Sequence, residues 1–161
     1  MKRIVFLAGT KSHGSGEHEY EKGMRLLARV LANCAECIIC LNGWPEDEKV
    51  LDQADAIVLY ADGSEHKETN HPLLVGNRLS VLEKQLKRGC GFVALHEATF
   101  APLGRAGDLY LEYLGGHFDY QSVSKSKRWV SLIRLGGPHV GIPDRKHPIC
   151  RGVSDFLKVH D

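Results

Sequence analysis

Short runs of consecutive apolar residues separate stretches of helical periodicity along most of this chain. The runs lie at residues 3–8, 37–41, 55–60 and 90–95, with a later one at 129–135. Their residues do not alternate between apolar and polar, which is typical of strands that helices cover on both faces. Strands of this kind in alternation with helices predict an α/β fold with a parallel sheet.

Apolar residues at helical spacing predict helices at residues 19–33, 46–53, 79–87 and 108–114. Gly89 and Gly115 are expected to end the last two, because glycine accepts the left-handed backbone at a helix end. We therefore expect a doubly wound, mostly parallel sheet in a three-layer sandwich of the flavodoxin-like kind. Ligands bind such sheets beyond the carboxyl ends of the strands, so the loops after the first, third and fourth strands are the expected site.

Length and charge narrow the class of protein. The 161 residues fit one domain over 1–161, and 21 Lys+Arg against 20 Asp+Glu give a formal charge of +1. This balance argues against a nucleic-acid partner, which requires a basic stripe. No apolar run reaches about 18 residues, so no membrane partner is expected.

Cysteine usage bears on the compartment and on one possible cluster. The five cysteines are an odd number, which leaves at least one unpaired and favours a reduced, cytoplasmic protein. Cys34, Cys37 and Cys40 have the spacing of an iron–sulfur run, but Trp44 stands where the fourth ligand belongs. We therefore expect these cysteines to act as small apolar side chains.

The loop after the first strand reads GTKSHGSGEHEY and fits neither dinucleotide-binding nor Walker spacing. It does offer ligands, so we predict His13, Gly14 and Glu19 as substrate-binding residues and His18 as a metal ligand. A solvated glycine-rich loop, with its glutamates near a helix N-terminus, is the alternative.

The turn after the fourth strand carries His96 and Glu97 instead of a serine or cysteine nucleophile. We predict both as catalytic acid–base groups, while a histidine that only caps the sheet edge is the alternative. His117 follows Gly115-Gly116 and is expected to turn back to the same edge, unless it lies on the surface. The predicted metal set is His18, His96 and His117. His71 and His147 precede prolines, which indicates extended loop backbone and not ligands.

Several segments resemble the ThuA-like (trehalose-utilisation) family, and together they cover nearly the whole chain. They read IVFLAGTKSHGSGEHEY, NGWPEDEKVLDQADAIVLYADG, LKRGCGFVALHEA, YLGGHF and HPICRGVSDFLKVHD. The resemblance implies a class I glutamine amidotransferase-like fold and a role in the metabolism of oxidised (3-keto) sugars or glycosides. His96 stands where the amidotransferases carry their cysteine, so the resemblance implies no amidotransferase activity. Relatives usually continue past Asp161, which implies either a truncated form or a short member.

Two functions remain open from the sequence. The first is a carbohydrate-acting hydrolase or lyase that works by acid–base chemistry on a carbonyl-bearing or glycosidic carbon, assisted by a divalent metal such as zinc. The second is a non-catalytic binding module for a small molecule or a protein partner. The expected partner is a sugar derivative, and a homo-oligomer is also expected.

Overall fold

A computed structural model of the chain describes residues 1–63, 71–119, 131, 139–141, 144–152 and 156–158. The chain divides into two compact units, residues 1–130 and 131–161. In the first unit four strands form a parallel sheet: β1 (Lys2–Ala8), β2 (Ala35–Cys40), β3 (Ala56–Tyr60) and β4 (Gly91–Leu95). Four helices accompany them: α1 (Tyr20–Leu31), α2 (Lys49–Asp52), α3 (Arg78–Lys87) and α4 (Arg105–Leu114).

The helices cover the sheet from both sides. Successive strand side chains point to opposite faces, so each strand contributes to two cores. Phe6 of β1 packs with Tyr20, Met24 and Ala28, which lie at successive four-residue steps along one face of α1. Leu7, the next residue of β1, packs in the core that holds leucines of α2, α3 and α4. This arrangement confirms the predicted three-layer α/β sandwich.

The order of the strands locates the crevice where a ligand is expected. The sheet runs β2-β1-β3-β4, so the direction of winding reverses between β1 and β3. The loops that leave these two strands diverge and open a crevice beyond their carboxyl ends. At its base, the Gly9 amide donates to the Tyr60 carbonyl, over 2.8 Å.

The predicted helices differ from the observed ones mainly at their starts. α2 begins at Lys49 and not at residue 46, because the Asp47 carboxylate accepts the Lys49 amide at 3.0 Å and holds a turn there. α4 begins at Arg105, three residues before the predicted start. The predicted ends are confirmed, since Gly89 and Gly115 have φ of +92° and +80°.

Both histidines that precede proline have the expected extended backbone. His71 has φ −93° and ψ 103°, and His147 has φ −60° and ψ 132°. Each ring Nδ1 accepts an amide from two residues ahead, at 3.3 Å, and so caps a short 3₁₀ helix. The Nδ1 atom of each histidine is thus engaged by the neighbouring backbone.

The second unit contains a short antiparallel pair, β5 (His139–Gly141) with β6 (Phe156–Lys158). The strand predicted at 129–135 lies outside the described residues apart from Ser131, which is not in a strand. A single domain over 1–161 stays a prediction. Among the described residues, none of the helices combines the length and apolar character needed to cross a bilayer.

Candidate metal and substrate site

The loop after β1 (residues 9–19, the first loop) is folded by its own glutamates. Glu17 accepts the Gly14 amide and Glu19 accepts the Gly16 amide, each at 2.9 Å. His18 has a left-handed backbone with φ +39°, just before α1 begins. The loop therefore doubles back over the carboxyl end of the sheet.

The turn after β4 (residues 96–99, the β4 turn) is a short 3₁₀ helix. Its first residue, His96, is exposed and has φ +54°, a left-handed conformation that is costly for a residue with a Cβ. The Thr99 hydroxyl donates to the His96 carbonyl at 2.7 Å and closes the turn. Strain of this kind concentrates at functional sites and here presents an imidazole at the sheet edge.

The first loop and the β4 turn bring three ligand-bearing side chains together. His13, His18 and Glu97 (the ligand group) are half-buried, and each offers a ligand atom within 4.8 Å of the other two. His18 Nδ1 lies 3.8 Å from Glu97 Oε2. This distance is too long for a hydrogen bond, and His18 Nδ1 is buried without a hydrogen-bonding partner among the described residues.

The spacing in the ligand group suits a bound metal ion. Zinc bonds to nitrogen and oxygen are about 2.0–2.2 Å, so two ligand atoms of a tetrahedral centre lie roughly 3.4 Å apart. The 3.8 Å between His18 Nδ1 and Glu97 Oε2 needs only a small contraction. A metal ion would also satisfy the His18 nitrogen, whose burial without a partner costs free energy.

Tyr20 joins the two sides of the site. Its hydroxyl lies 3.0 Å from Ser12 Oγ and 3.4 Å from His13 Nδ1, and it donates to Glu97 Oε2 at 3.3 Å. Burial raises the pKa of Tyr20, and the nearby carboxylates of Asp62 and Glu97 raise it further. The phenol therefore keeps its proton at neutral pH.

A cavity of about 440 Å³ adjoins the ligand group, shares His18 with it and is also lined by Tyr20. Its other walls include Gly9, Thr10, Lys11 and Glu19 of the first loop, and Asn42 after β2. Glu19 carries charge here, because the Gly16 amide and Lys22 lower the pKa of its carboxyl to about 2. The cavity is lined mainly by apolar surface but carries these polar and charged groups, and it has room for a small molecule beside the ligand group.

Apart from His117, the predicted site residues fall into two sets. His13, His18, His96 and Glu97 converge, with the His96 and His18 ring centroids 4.8 Å apart. Gly14 and Glu19 lie in the first loop, but the Gly14 amide is bonded to Glu17.

The structure does not bring His117 into the ligand group. Its Nδ1 donates to the Ala101 carbonyl at 2.8 Å, and its Nε2 faces Gly107. This hydrogen bond ties the segment after α4 to the chain after the β4 turn. The metal set expected from sequence, His18, His96 and His117, thus differs from the group that forms, in which His13 and Glu97 accompany His18.

Two residues of the site were missed in the sequence, namely Ser12 and Tyr20. A signal existed for Tyr20, because it extends the apolar face of α1 by one step before Met24 and Ala28. A buried tyrosine requires a partner for its hydroxyl, which points to a polar group at that end of the helix. Nothing in the sequence marks Ser12.

Comparisons with known proteins bear on the fold. A scan against protein-family models gives no match, and a search of curated proteins gives none either. A solved structure from Bacteroides uniformis ATCC 8492, described as ThuA-like, matches with a TM-score of 0.62 and 12% sequence identity. The match covers 97% of this chain and 57% of the Bacteroides protein. This chain therefore spans little more than half of the length of that protein. The chain has a ThuA-like fold, as the resemblance implied.

Proposed function

We propose that this chain is a metal-dependent enzyme that acts on a carbonyl-bearing sugar or glycoside. The observation that carries the proposal is the convergence of His13, His18 and Glu97, with a buried His18 nitrogen that lacks a partner among the described residues. A ThuA-like fold in a solved neighbour supports the sugar as substrate class.

The ligand group would hold the ion through two imidazoles and one carboxylate. Two histidines and one carboxylate form a known catalytic set for zinc, and they leave a fourth position for substrate or water. When bound, the ion polarises a substrate oxygen or activates a water molecule. Glu97 also places a negative charge next to the two rings, which favours a cation at this position.

His96 is the proposed acid–base group. It is exposed, its ring is next to that of His18, and it is not a member of the ligand group. An imidazole exchanges protons near neutral pH, so His96 would take a proton from the carbon beside the carbonyl or give one to a leaving oxygen. The first step leads to elimination and the second to hydrolysis. We do not expect the cysteine-thioester reaction of the glutamine amidotransferases, because the strained position after β4 carries the imidazole of His96 and not a thiol.

The substrate would occupy the cavity beside the ligand group. Lys11 and Asn42 on its walls can donate hydrogen bonds, and Glu19 can accept them. Sugar hydroxyls both donate and accept, so a wall that offers both donors and acceptors fits them. We predict that the chain has no nucleic-acid or membrane partner. A homo-oligomeric state also stays a prediction.

The test begins with zinc titrated into chelator-treated protein by calorimetry. We expect one ion per chain. Glu97→Gln should weaken binding by more than the roughly 10–100-fold that loss of an outer hydrogen-bonding partner costs. Glu17→Gln is the matched control, because Glu17 belongs to the first loop but not to the ligand group. Equal zinc affinity in Glu97→Gln and the unaltered protein would rule out the proposed centre.

Turnover of a chromogenic 3-keto-glucoside separates metal binding from chemistry. We expect turnover with zinc, none after chelation, and none in His96→Asn, although His96→Asn should still bind one zinc ion. Zinc and sugar binding without turnover would contradict the enzyme and favour the non-catalytic binding module.

A further inference from the structure

Four polar groups form a continuous chain between His13 and Glu97. His13 Nδ1 lies 2.8 Å from Ser12 Oγ, and Ser12 Oγ lies 3.0 Å from the Tyr20 hydroxyl. The Tyr20 hydroxyl in turn lies 3.3 Å from Glu97 Oε2. Each link is within hydrogen-bonding distance, so one relay joins a histidine of the first loop to the carboxylate of the β4 turn.

The number of protons available in the relay fixes the direction of its hydrogen bonds. An ionised Glu97 can only accept, so the single Tyr20 proton points to Glu97. The Tyr20 oxygen must then accept from Ser12, whose own single proton is used in that bond. The Ser12 oxygen is left as an acceptor, and His13 Nδ1 must carry the proton that it receives.

The reverse direction is disfavoured by burial. If Ser12 donated to His13 Nδ1, the single Tyr20 proton could serve only one of its two contacts, so either the Ser12–Tyr20 or the Tyr20–Glu97 pair of oxygens would have no proton between them. Tyr20 is only 2% exposed, so water has little access to relieve that contact. The His13 Nδ1 atom also lies 3.4 Å from the Tyr20 oxygen, which suits a protonated nitrogen between two oxygens.

We propose that Ser12 and Tyr20 are positioning residues that hold His13 in its Nδ1–H tautomer and couple it to Glu97. The Nε2 atom of His13 then keeps its lone pair for a metal ion or a substrate proton. Metal-binding histidines commonly donate the other ring N–H to a fixed acceptor, which sets the tautomer and the ring orientation. The inference rests on the proposed function only in taking His13 and Glu97 as ligands.

The tautomer can be read in metal-free protein, independently of zinc. Long-range ¹H–¹⁵N spectra of chelator-treated, ¹⁵N-labelled protein above the histidine titration range report which ring nitrogen carries the proton. His13→Gln identifies the His13 signals. We expect the Nδ1–H form for His13, and a shift towards the Nε2–H form in Tyr20→Phe and in Ser12→Ala. Tyr60→Phe is the control, since Tyr60 packs against the Tyr20 ring but its hydroxyl is outside the relay.

Zinc affinity supplies a second measurement. We expect Tyr20→Phe to weaken zinc binding about 10–100-fold, as loss of an outer partner does, and Tyr60→Phe to leave it unchanged. An Nε2–H tautomer in the unaltered protein, or an unchanged tautomer in Tyr20→Phe, would overturn the relay even if zinc binds. Failure of zinc binding with the expected tautomers would instead overturn the proposed metal centre and leave the relay in place.

Discussion

His96 holds a backbone conformation that a residue with a Cβ adopts only at a cost. Its φ of +54° lies in the left-handed region, where the Cβ crowds the following carbonyl. The Thr99 hydroxyl, at 2.7 Å from the His96 carbonyl, helps to hold the turn in this form. Such strain persists where the surrounding structure demands it, and here it places the proposed acid–base ring beside His18.

Comparison of two substitutions at His96 isolates this strain. His96→Ala and His96→Gly both remove the ring, but only glycine removes the Cβ. We expect His96→Gly to have a higher free energy of unfolding than His96→Ala by roughly 1 kcal/mol, the reverse of the usual order of these residues. Urea unfolding measures both, and a His96→Ala protein at least as stable as His96→Gly would show that the turn is not strained.

Glu19 should stabilise the first loop in a pH-dependent way. Its folded pKa of about 2 lies below the ordinary 4.5, because the charged carboxylate accepts the Gly16 amide and pairs with Lys22. Because the pKa is lower in the folded protein, the contribution of Glu19 to the free energy of unfolding is complete above pH 4.5. It is lost as the pH falls towards 2.

We therefore expect the unaltered protein to have a higher free energy of unfolding than Glu19→Gln. The difference should be constant above about pH 5 and should shrink as the pH falls below that value. Urea unfolding across this range measures the difference, and Glu21→Gln is the matched control on the next acidic position. A difference that grows on acidification would refute the charge-dependent role of Glu19.

The position of the β4 turn depends on the close approach of the chain after β3. A Cβ on Gly63 would lie 2.6 Å from the Glu97 carbonyl oxygen and 2.9 Å from that of Phe100. Both contacts are shorter than normal van der Waals distances, and both atoms belong to backbone, which cannot swing away. Gly63 therefore fixes how near Glu97 sits to the crevice.

We expect Gly63→Ala to lower the free energy of unfolding by about 1–3 kcal/mol, as overpacking does, and also to weaken zinc binding by moving Glu97. Thermal unfolding and calorimetry measure the two effects. Gly116→Ala is the control, because a Cβ there meets nothing within 4 Å. If both variants behave alike, the close approach at Gly63 does not position the turn.

Strands and most helices were predictable because burial leaves a periodic trace in the sequence. β1, β3 and β4 begin within one residue of their expected starts, and α3 ends at Lys87 as predicted. α2 was predicted too long, because the single hydrogen bond that the Lys49 amide donates to the Asp47 carboxylate leaves no periodic trace in the sequence. The first loop has no periodicity either, since its path depends on Glu17 and Glu19 reaching back to glycine amides.

At the scale of the whole first unit, the strand order creates the site. Because β1 lies in the middle of the order β2-β1-β3-β4, the first loop leaves from the centre of the sheet and can reach the β4 turn. The sequence predicted that His13, His18, Glu19, His96, Glu97 and His117 would gather at this edge. The topology explains why His13, His18, His96 and Glu97 do so. The sequence did not predict which of them share an ion, because that depends on a few ångströms within an irregular loop.

Anomalous diffraction from crystals grown with one equivalent of zinc tests the metal centre most directly. Data collected on both sides of the zinc absorption edge identify the element and its position. We expect one peak about 2.0–2.2 Å from ligand atoms of His13, His18 and Glu97. Zinc found only elsewhere on the chain, with His18 Nδ1 still without a ligand, would contradict it.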